Sequence, residues 1–148
     1  MKILCLDVGN KRIGMAVSDE LGITAQGIGV LQRTDLQQDI NNILQIVEQY
    51  NVNKILIGLP KNMDGTVGFQ AETTQEFGEL LGKASNIVIE YWDERLTTVA
   101  AEKVLISADL SRKKRKKIID KLAAVMILQN YLDCKIHWHT RQFTIEWA

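Results

Sequence analysis

The chain has 148 residues, 46% of them hydrophobic and 24% charged, with 18 basic and 18 acidic side chains and no net charge. That length suits one domain with its own core, and the neutral balance excludes a protein that holds nucleic acid by bulk charge alone. No apolar run approaches the roughly 18–20 residues of a membrane span. Met1-Lys2 does not open a signal peptide, and Cys5 and Cys134 are too far apart to form a metal-like pair, so a reduced cytoplasmic protein with no membrane partner is expected.

The first element, "KILCLDV", reads as a buried strand with an acid, Asp7, near its end. Aspartate is a poor strand former and is rarely buried without a partner, so its place there asks for a reason. "IGMAVSD" follows a short glycine-containing turn and alternates like a hairpin partner. "TAQGIGVLQR" predicts a third strand and completes an antiparallel meander.

The period then changes. "DLQQDINNILQIVEQY" puts Leu36, Ile40, Ile43, Leu44 and Val47 on one helical face, with Asp35 as the cap. "NKILIGLP" is a continuous apolar strand ended by Gly58 and Pro60, and "KNMDGTVG" is a polar, glycine-rich loop. "FQAETTQEFGELLGKA" predicts an amphipathic helix from Phe69 through Phe77 and Leu80 to Leu81. "NIVIEYWDE" is a further buried strand that also ends in acids. Thr97 opens another helix, and "KIIDKLAAVMILQNYL" is a final, strongly apolar one.

The order β-β-β-α-β-α-β-α-α implies an α/β domain, a mixed sheet with helices on its faces, over residues 1–148, with residues 133–148 as a C-terminal extension. Ligands in such sheets bind at the carboxyl ends of strands. That rule selects Asp7-Val8-Gly9, the loop after Gly58, and Asp93-Glu94-Arg95.

Two of these strand ends carry acids. Asp120, inside the apolar face of the final helix, is a third candidate. Converging carboxylates repel and need cations, and hard Mg²⁺ or Mn²⁺ is the usual answer. Two such ions roughly 4 Å apart can hold both the attacking water and the leaving oxygen of a phosphodiester. Each acid also has a purely structural reading. Asp7 suits a turn, Asp93 and Glu94 suit a cap for the helix near Thr97, and Asp120 stands at helical spacing from Lys116 and Lys117. "RKKRKK", Arg112 to Lys117, holds six of the 18 positive charges and is either a solvated run or a phosphate-contacting patch. Arg12 and Arg95 either neutralise nearby acids or contact phosphate.

Four blocks, "LDVGNKRIGMAVSD", "IGLPKNMDGT", "WDERLTT" and "DKLAAVMILQNYL", resemble the signature blocks of the YqgF family, also called the RuvX-like or pre-16S rRNA nuclease family. The resemblance runs from about Lys2 to Leu132. It implies an RNase H-like fold with a five-stranded mixed sheet in the order 3-2-1-4-5 and helices on both faces. It implies a bacterial cytoplasmic nuclease that acts on the 5′ end of pre-16S rRNA with a divalent metal, Mg or Mn. The family's acids fall on Asp7, Glu94 and Asp120, as catalytic and metal-binding residues, with Asp93 ranked below Glu94. Arg12 and Arg95 match its basic positions. Lys61, Arg112, Lys113, Lys114, Arg115, Lys116 and Lys117 complete the expected substrate-binding set.

The expected partner is nucleic acid, pre-rRNA or branched DNA, bound by a monomer or weak homodimer. A Holliday-junction-type DNA endonuclease is the nearest alternative, since the chemistry at phosphorus is the same. A non-catalytic RNA-binding assembly factor is another. "DVGNKRIG" also resembles the first phosphate loop of actin-like ATPases, but one short chain cannot supply the second domain that encloses a nucleotide there. The tail departs from the family pattern. Its His137-Trp138-His139 reads as an ordinary strand or tail segment rather than a metal pair.

Overall fold

Ile3, Leu4, Cys5 and Leu6 are buried on both faces of their strand, which requires a central strand covered on both sides. In the computed structural model, which describes residues 1–60, 68–93, 114 and 122–135, that strand is β1 (Ile3–Val8). It pairs antiparallel with β2 (Arg12–Ser18), and β2 pairs antiparallel with β3 (Ala25–Gln32). On its other side β1 runs parallel to β4 (Lys54–Leu59), and β4 runs parallel to β5 (Val88–Asp93). The sheet order is β3-β2-β1-β4-β5, as the family resemblance implies.

Helix α1 (Leu36–Gln49) leads from β3 to β4, and α2 (Phe69–Ser85) from β4 to β5. Asp35 caps α1 by accepting the Gln38 amide at 2.9 Å. Asn86 closes α2 in the left-handed conformation, at φ 59°, and donates its amide to the Gly82 carbonyl. Residues 122–135 form a further helix, α3. No described helix is long and apolar enough to cross a membrane.

Strand alternation divides the core in two. Leu4, Leu6, Val8, Ile13, Met15, Ile55 and Ile57 pack with Ile40 and Ile43 of α1 and Phe77 and Leu81 of α2. Ile3, Cys5, Ala16 and Leu56 pack with Ala124, Ile127, Leu128, Tyr131 and Leu132 of α3 on the opposite face. Glycines set how closely the helices approach, and a Cβ at Gly82 would lie 3.1 Å from Ile89. A Cβ at Gly78 would run into Tyr91 and come within 3.1 Å of Ile57, and one at Gly27 would lie 3.2 Å from Val125.

The apolar stripes are narrower than the periodicity predicts. Leu36, Phe69 and Leu80 are exposed, because each stands at the end or flank of a helix whose middle covers the sheet. Strand β5 is an edge strand and only half buried, where its apolar run predicts burial on both faces. The predicted helix from Thr97 and the His137-Trp138-His139 segment lie outside the described residues.

One polar cluster ties α3 to the parallel strands. Tyr131 donates its hydroxyl to Glu90 at 2.7 Å, and the Lys54 ammonium contacts both Glu90 and Tyr131. Burial by itself would lift the Glu90 pKa, but the hydrogen bonds from Lys54 and Tyr131 outweigh it and hold the carboxyl below its ordinary value. A depressed carboxylate stabilises the fold above its unfolded pKa and loses that contribution as pH falls through the folded value. Glu90→Gln should therefore destabilise at neutral pH by about 1 kcal/mol, a figure kept small because the pair is partly solvated. Urea unfolding of both proteins should show the difference shrinking as pH falls below the ordinary carboxylate range; a pH-independent difference would assign the loss to packing.

Candidate functional site

The carboxyl ends of β1, β4 and β5 share one rim of the sheet, because the three strands are parallel. Asp7 stands there. It alternates with Ile3 and Cys5, so it belongs to the face that α3 covers. Its antiparallel partner on β2 is Gly14. One step beyond the Leu6–Ile57 pair, its neighbour on β4 is Gly58, which in turn pairs with Trp92. The row across the sheet is thus Gly14, Asp7, Gly58, Trp92. The residue on each side of Asp7 in the sheet is glycine, so neither strand neighbour sets a side chain beside its carboxylate.

Trp92 closes the far end of that row. It meets the Tyr131 ring edge-on, with centroids 5.3 Å apart, and donates its indole N–H to Asn130 at 3.0 Å. Asp93 is the next residue on β5. It alternates onto the face of Ile89 and Tyr91, under α2, and so points away from the side that Asp7 occupies. The structure separates these two acids across the sheet.

Arg12 opens β2 two residues before Gly14 and stands on the Asp7 face of the hairpin. The turn between β1 and β2 is closed by the Gly9 amide, which donates to the Arg12 carbonyl at 2.8 Å. A Cβ at Gly9 would lie 2.9 Å from that oxygen, so the turn needs glycine. Lys114 is helical and exposed. Glu94, Asp120, Lys61, Arg95, Arg112, Lys113, Arg115, Lys116 and Lys117 lie outside the described residues. Among the described residues no three acidic, histidine or cysteine side chains gather into a metal-sized group.

Arg33 and Asp39 were not singled out by sequence, yet they hold the rim in place. Asp39 is 1% exposed and accepts Arg33 Nε at 3.0 Å and the Thr34 amide at 3.1 Å. Arg33 also donates Nη1 to the Gly9 carbonyl at 2.8 Å and lies over the Phe77 ring, 5.3 Å from its centroid. One guanidinium thus links the hairpin turn behind Asp7 to both α1 and α2. The signal in sequence was an acid four residues before Ile43, on the apolar side of a helix, where only a paired carboxylate is tolerated. Asp39→Ala should cost roughly 3 kcal/mol in chemical denaturation, since it strands a partly buried guanidinium. The paired change Arg33→Met with Asp39→Leu should recover most of that loss; equal losses in both would show that the ion pair itself is not what Asp39 contributes.

Known proteins resemble this chain in sequence and in fold. The family model RuvX, described as Holliday junction resolvase, matches residues 1–134. A protein of Heliobacterium modesticaldum, named "Putative pre-16S rRNA nuclease", is 56% identical over 137 residues, covering 93% of this chain and 92% of its own. One from Clostridium botulinum (strain Eklund 17B) with the same name is 56% identical over 133 residues, covering 90% of this chain and 97% of its own. Among solved structures, Thermus thermophilus RuvC in complex with a Holliday junction superposes with TM-score 0.55 at 10% identity, over 92% of this chain and 96% of that one. The fowlpox virus Holliday junction resolvase gives 0.54 at 16% identity, over 90% and 99%. At such identities the likeness establishes the fold, an RNase H-like one, and nothing finer.

Proposed function

The chain belongs to the RuvX family, described as Holliday junction resolvases, and on that premise we propose that it is a divalent-metal-dependent endoribonuclease that processes the 5′ end of pre-16S rRNA. Support for the substrate comes from relatives 56% identical, aligned over at least 90% of this chain, that carry a pre-16S rRNA nuclease name. Support for the chemistry comes from Asp7, an acid set between two glycines at the carboxyl end of the central strand.

Asp7, Glu94 and Asp120 are the proposed ligands of magnesium or manganese. Three carboxylates offer hard oxygens of the kind these ions take, and the glycines beside Asp7 set no side chain against its carboxylate. When bound, the metal supplies positive charge for water activation and for the departing oxygen of a phosphodiester. Glu94 is preferred to Asp93 because Asp93 alternates onto the face opposite Asp7. Asp120 precedes the buried Ala124 by four residues. On the sequence reading of one continuous helix, that spacing gives it the same face.

The remaining residues bind and orient. Arg12, on the Asp7 face at the turn, is suited to hold a non-bridging phosphate oxygen. Lys61 and Arg95 are proposed to act likewise on the neighbouring loops. Arg112 to Lys117 provides the sequence-independent attraction for the backbone, a local concentration of charge that the neutral total conceals.

The family description favours one second reading, an endonuclease for branched DNA. The purified protein offered a pre-16S rRNA fragment and a four-way DNA junction, with Mg²⁺ or Mn²⁺, separates the two. Cleavage of the RNA, abolished by chelation, is expected; cleavage of the junction alone would move the assignment to DNA.

Asp7→Asn should lower the rate at least roughly 100-fold, the equivalent of about 2.7 kcal/mol of transition-state stabilisation, while its thermal unfolding temperature holds or rises as carboxylate repulsion is relieved. Wild-type cleavage by this variant would refute the metal-site assignment. Glu94→Gln should be as damaging as Asp7→Asn, and Asp93→Asn should retain most activity. The reverse ranking would exchange the roles of the two adjacent acids.

A further inference from the structure

The β1–β2 turn is gripped from the face opposite the one that Asp7 occupies. Arg12 pairs with Gln32 on the Asp7 face, so Arg33, the next residue, alternates onto the face of α1 and α2. From there Arg33 holds two carbonyls of the turn. Its amide donates to the Lys11 carbonyl at 2.9 Å, and its Nη1 donates to the Gly9 carbonyl at 2.8 Å. The Arg12 carbonyl accepts the Gly9 amide within the turn, at 2.8 Å.

Arg33 is itself held. Asp39 accepts its Nε on one carboxylate oxygen and the Thr34 amide on the other, which fixes side chain and backbone together. The guanidinium serves Asp39 and Gly9 through different nitrogens, a division that its planar fork allows and a single ammonium does not. Asn10 and Lys11 are exposed, so water can reach this turn and satisfy its carbonyls. The fold therefore does not need a guanidinium at Gly9 to complete its hydrogen bonds. What that bond fixes is the place of the turn, and the turn carries Arg12 to the Asp7 face.

We propose that Arg33, held by Asp39, is a positioning residue for the nuclease reaction: by fixing the Gly9–Arg12 turn it keeps Arg12 in register with Asp7. The inference rests on the nuclease reading and on the role proposed there for Arg12. Arg33 touches no substrate and acts from the opposite face through the backbone of the turn. Its removal is expected in kcat rather than in KM. Misplacing an orienting group by about 1 Å costs on the order of 100-fold in rate, whereas the charges of Arg112 to Lys117 are left as they are.

The test uses the paired variant Arg33→Met with Asp39→Leu, which replaces the ion pair by apolar side chains and releases the Gly9 carbonyl. Well below its unfolding transition, its kcat on the RNA fragment should fall about 10- to 100-fold, with KM within about threefold of wild type. A cycle with Arg12→Gln separates positioning from packing. In wild type Arg12→Gln should lower kcat about 10-fold or more; in the paired variant it should add less than about threefold, because Arg12 is already displaced. Fully additive losses would overturn the positioning role. Amide exchange reads the turn without any activity: the Gly9 and Arg33 amides should exchange at least about 10-fold faster in the paired variant, while those of β4 keep their wild-type rates. Should the paired variant fail to fold, Asp39→Asn keeps an acceptor for the Thr34 amide and removes the charge that holds Arg33, and the same cycle is run on it with a smaller expected loss, about threefold. If wild type cleaves and the variants match its kcat, the positioning role is overturned and the nuclease reading stands. If wild type cleaves neither RNA nor the DNA junction, the nuclease reading is overturned, and the exchange rates alone decide whether Arg33 fixes the turn.

Discussion

Strand β1 is the constraint on which the rest of the molecule depends. It is paired on both edges, antiparallel to β2 and parallel to β4, and covered on both faces. Residues Ile3 to Leu6 are accordingly apolar without alternation, and each fully buried Leu or Ile side chain contributes roughly 1.5–3 kcal/mol. A charged residue is tolerated only where that double cover ends. Asp7 is the first position along the strand that meets this condition, with glycine on either side in place of packed side chains. The physical requirement of the core and the chemical requirement of the rim meet at one residue.

The rim is not held by β1 alone. A hairpin turn at the end of a central strand would be free to swing if only its own Gly9–Arg12 hydrogen bond restrained it. Arg33 prevents this by fastening the Gly9 carbonyl to Asp39 of α1 and to the Phe77 ring of α2. The two helices on one face therefore fix a turn whose acid and arginine serve the other face. On that other face, Tyr131, Lys54 and Glu90 anchor α3 to the parallel strands, and Trp92 carries the link to the row that contains Asp7.

Charge distribution follows the same economy. The chain as a whole is neutral, so its net charge supplies no general attraction for polyanions. Its positive charge is concentrated in Arg112 to Lys117 and in the turn that carries Lys11 and Arg12. In a neutral chain, local clusters of this kind rather than the net charge would attract a phosphate backbone.

Most of the architecture was legible in the sequence. Local pattern is sufficient where one face or one strand decides the outcome, as with the period-two run of β2, the helical stripe of α1 with its Asp35 cap, and the continuous apolar stretch of β4. The four motif blocks added the sheet order and singled out Asp7. Three matters needed the tertiary structure. Strand β5 reads as buried by composition, yet it is an edge strand, because exposure depends on which neighbours the sheet provides. Asp93 and Asp7 look equivalent as acids at strand ends, yet they fall on opposite faces, because register across three strands decides which side a residue takes. Arg33, Asp39 and Gly9 are separated by up to 30 positions and carry no shared local pattern. Their association exists only once β3 and α1 have folded back over the β1–β2 turn.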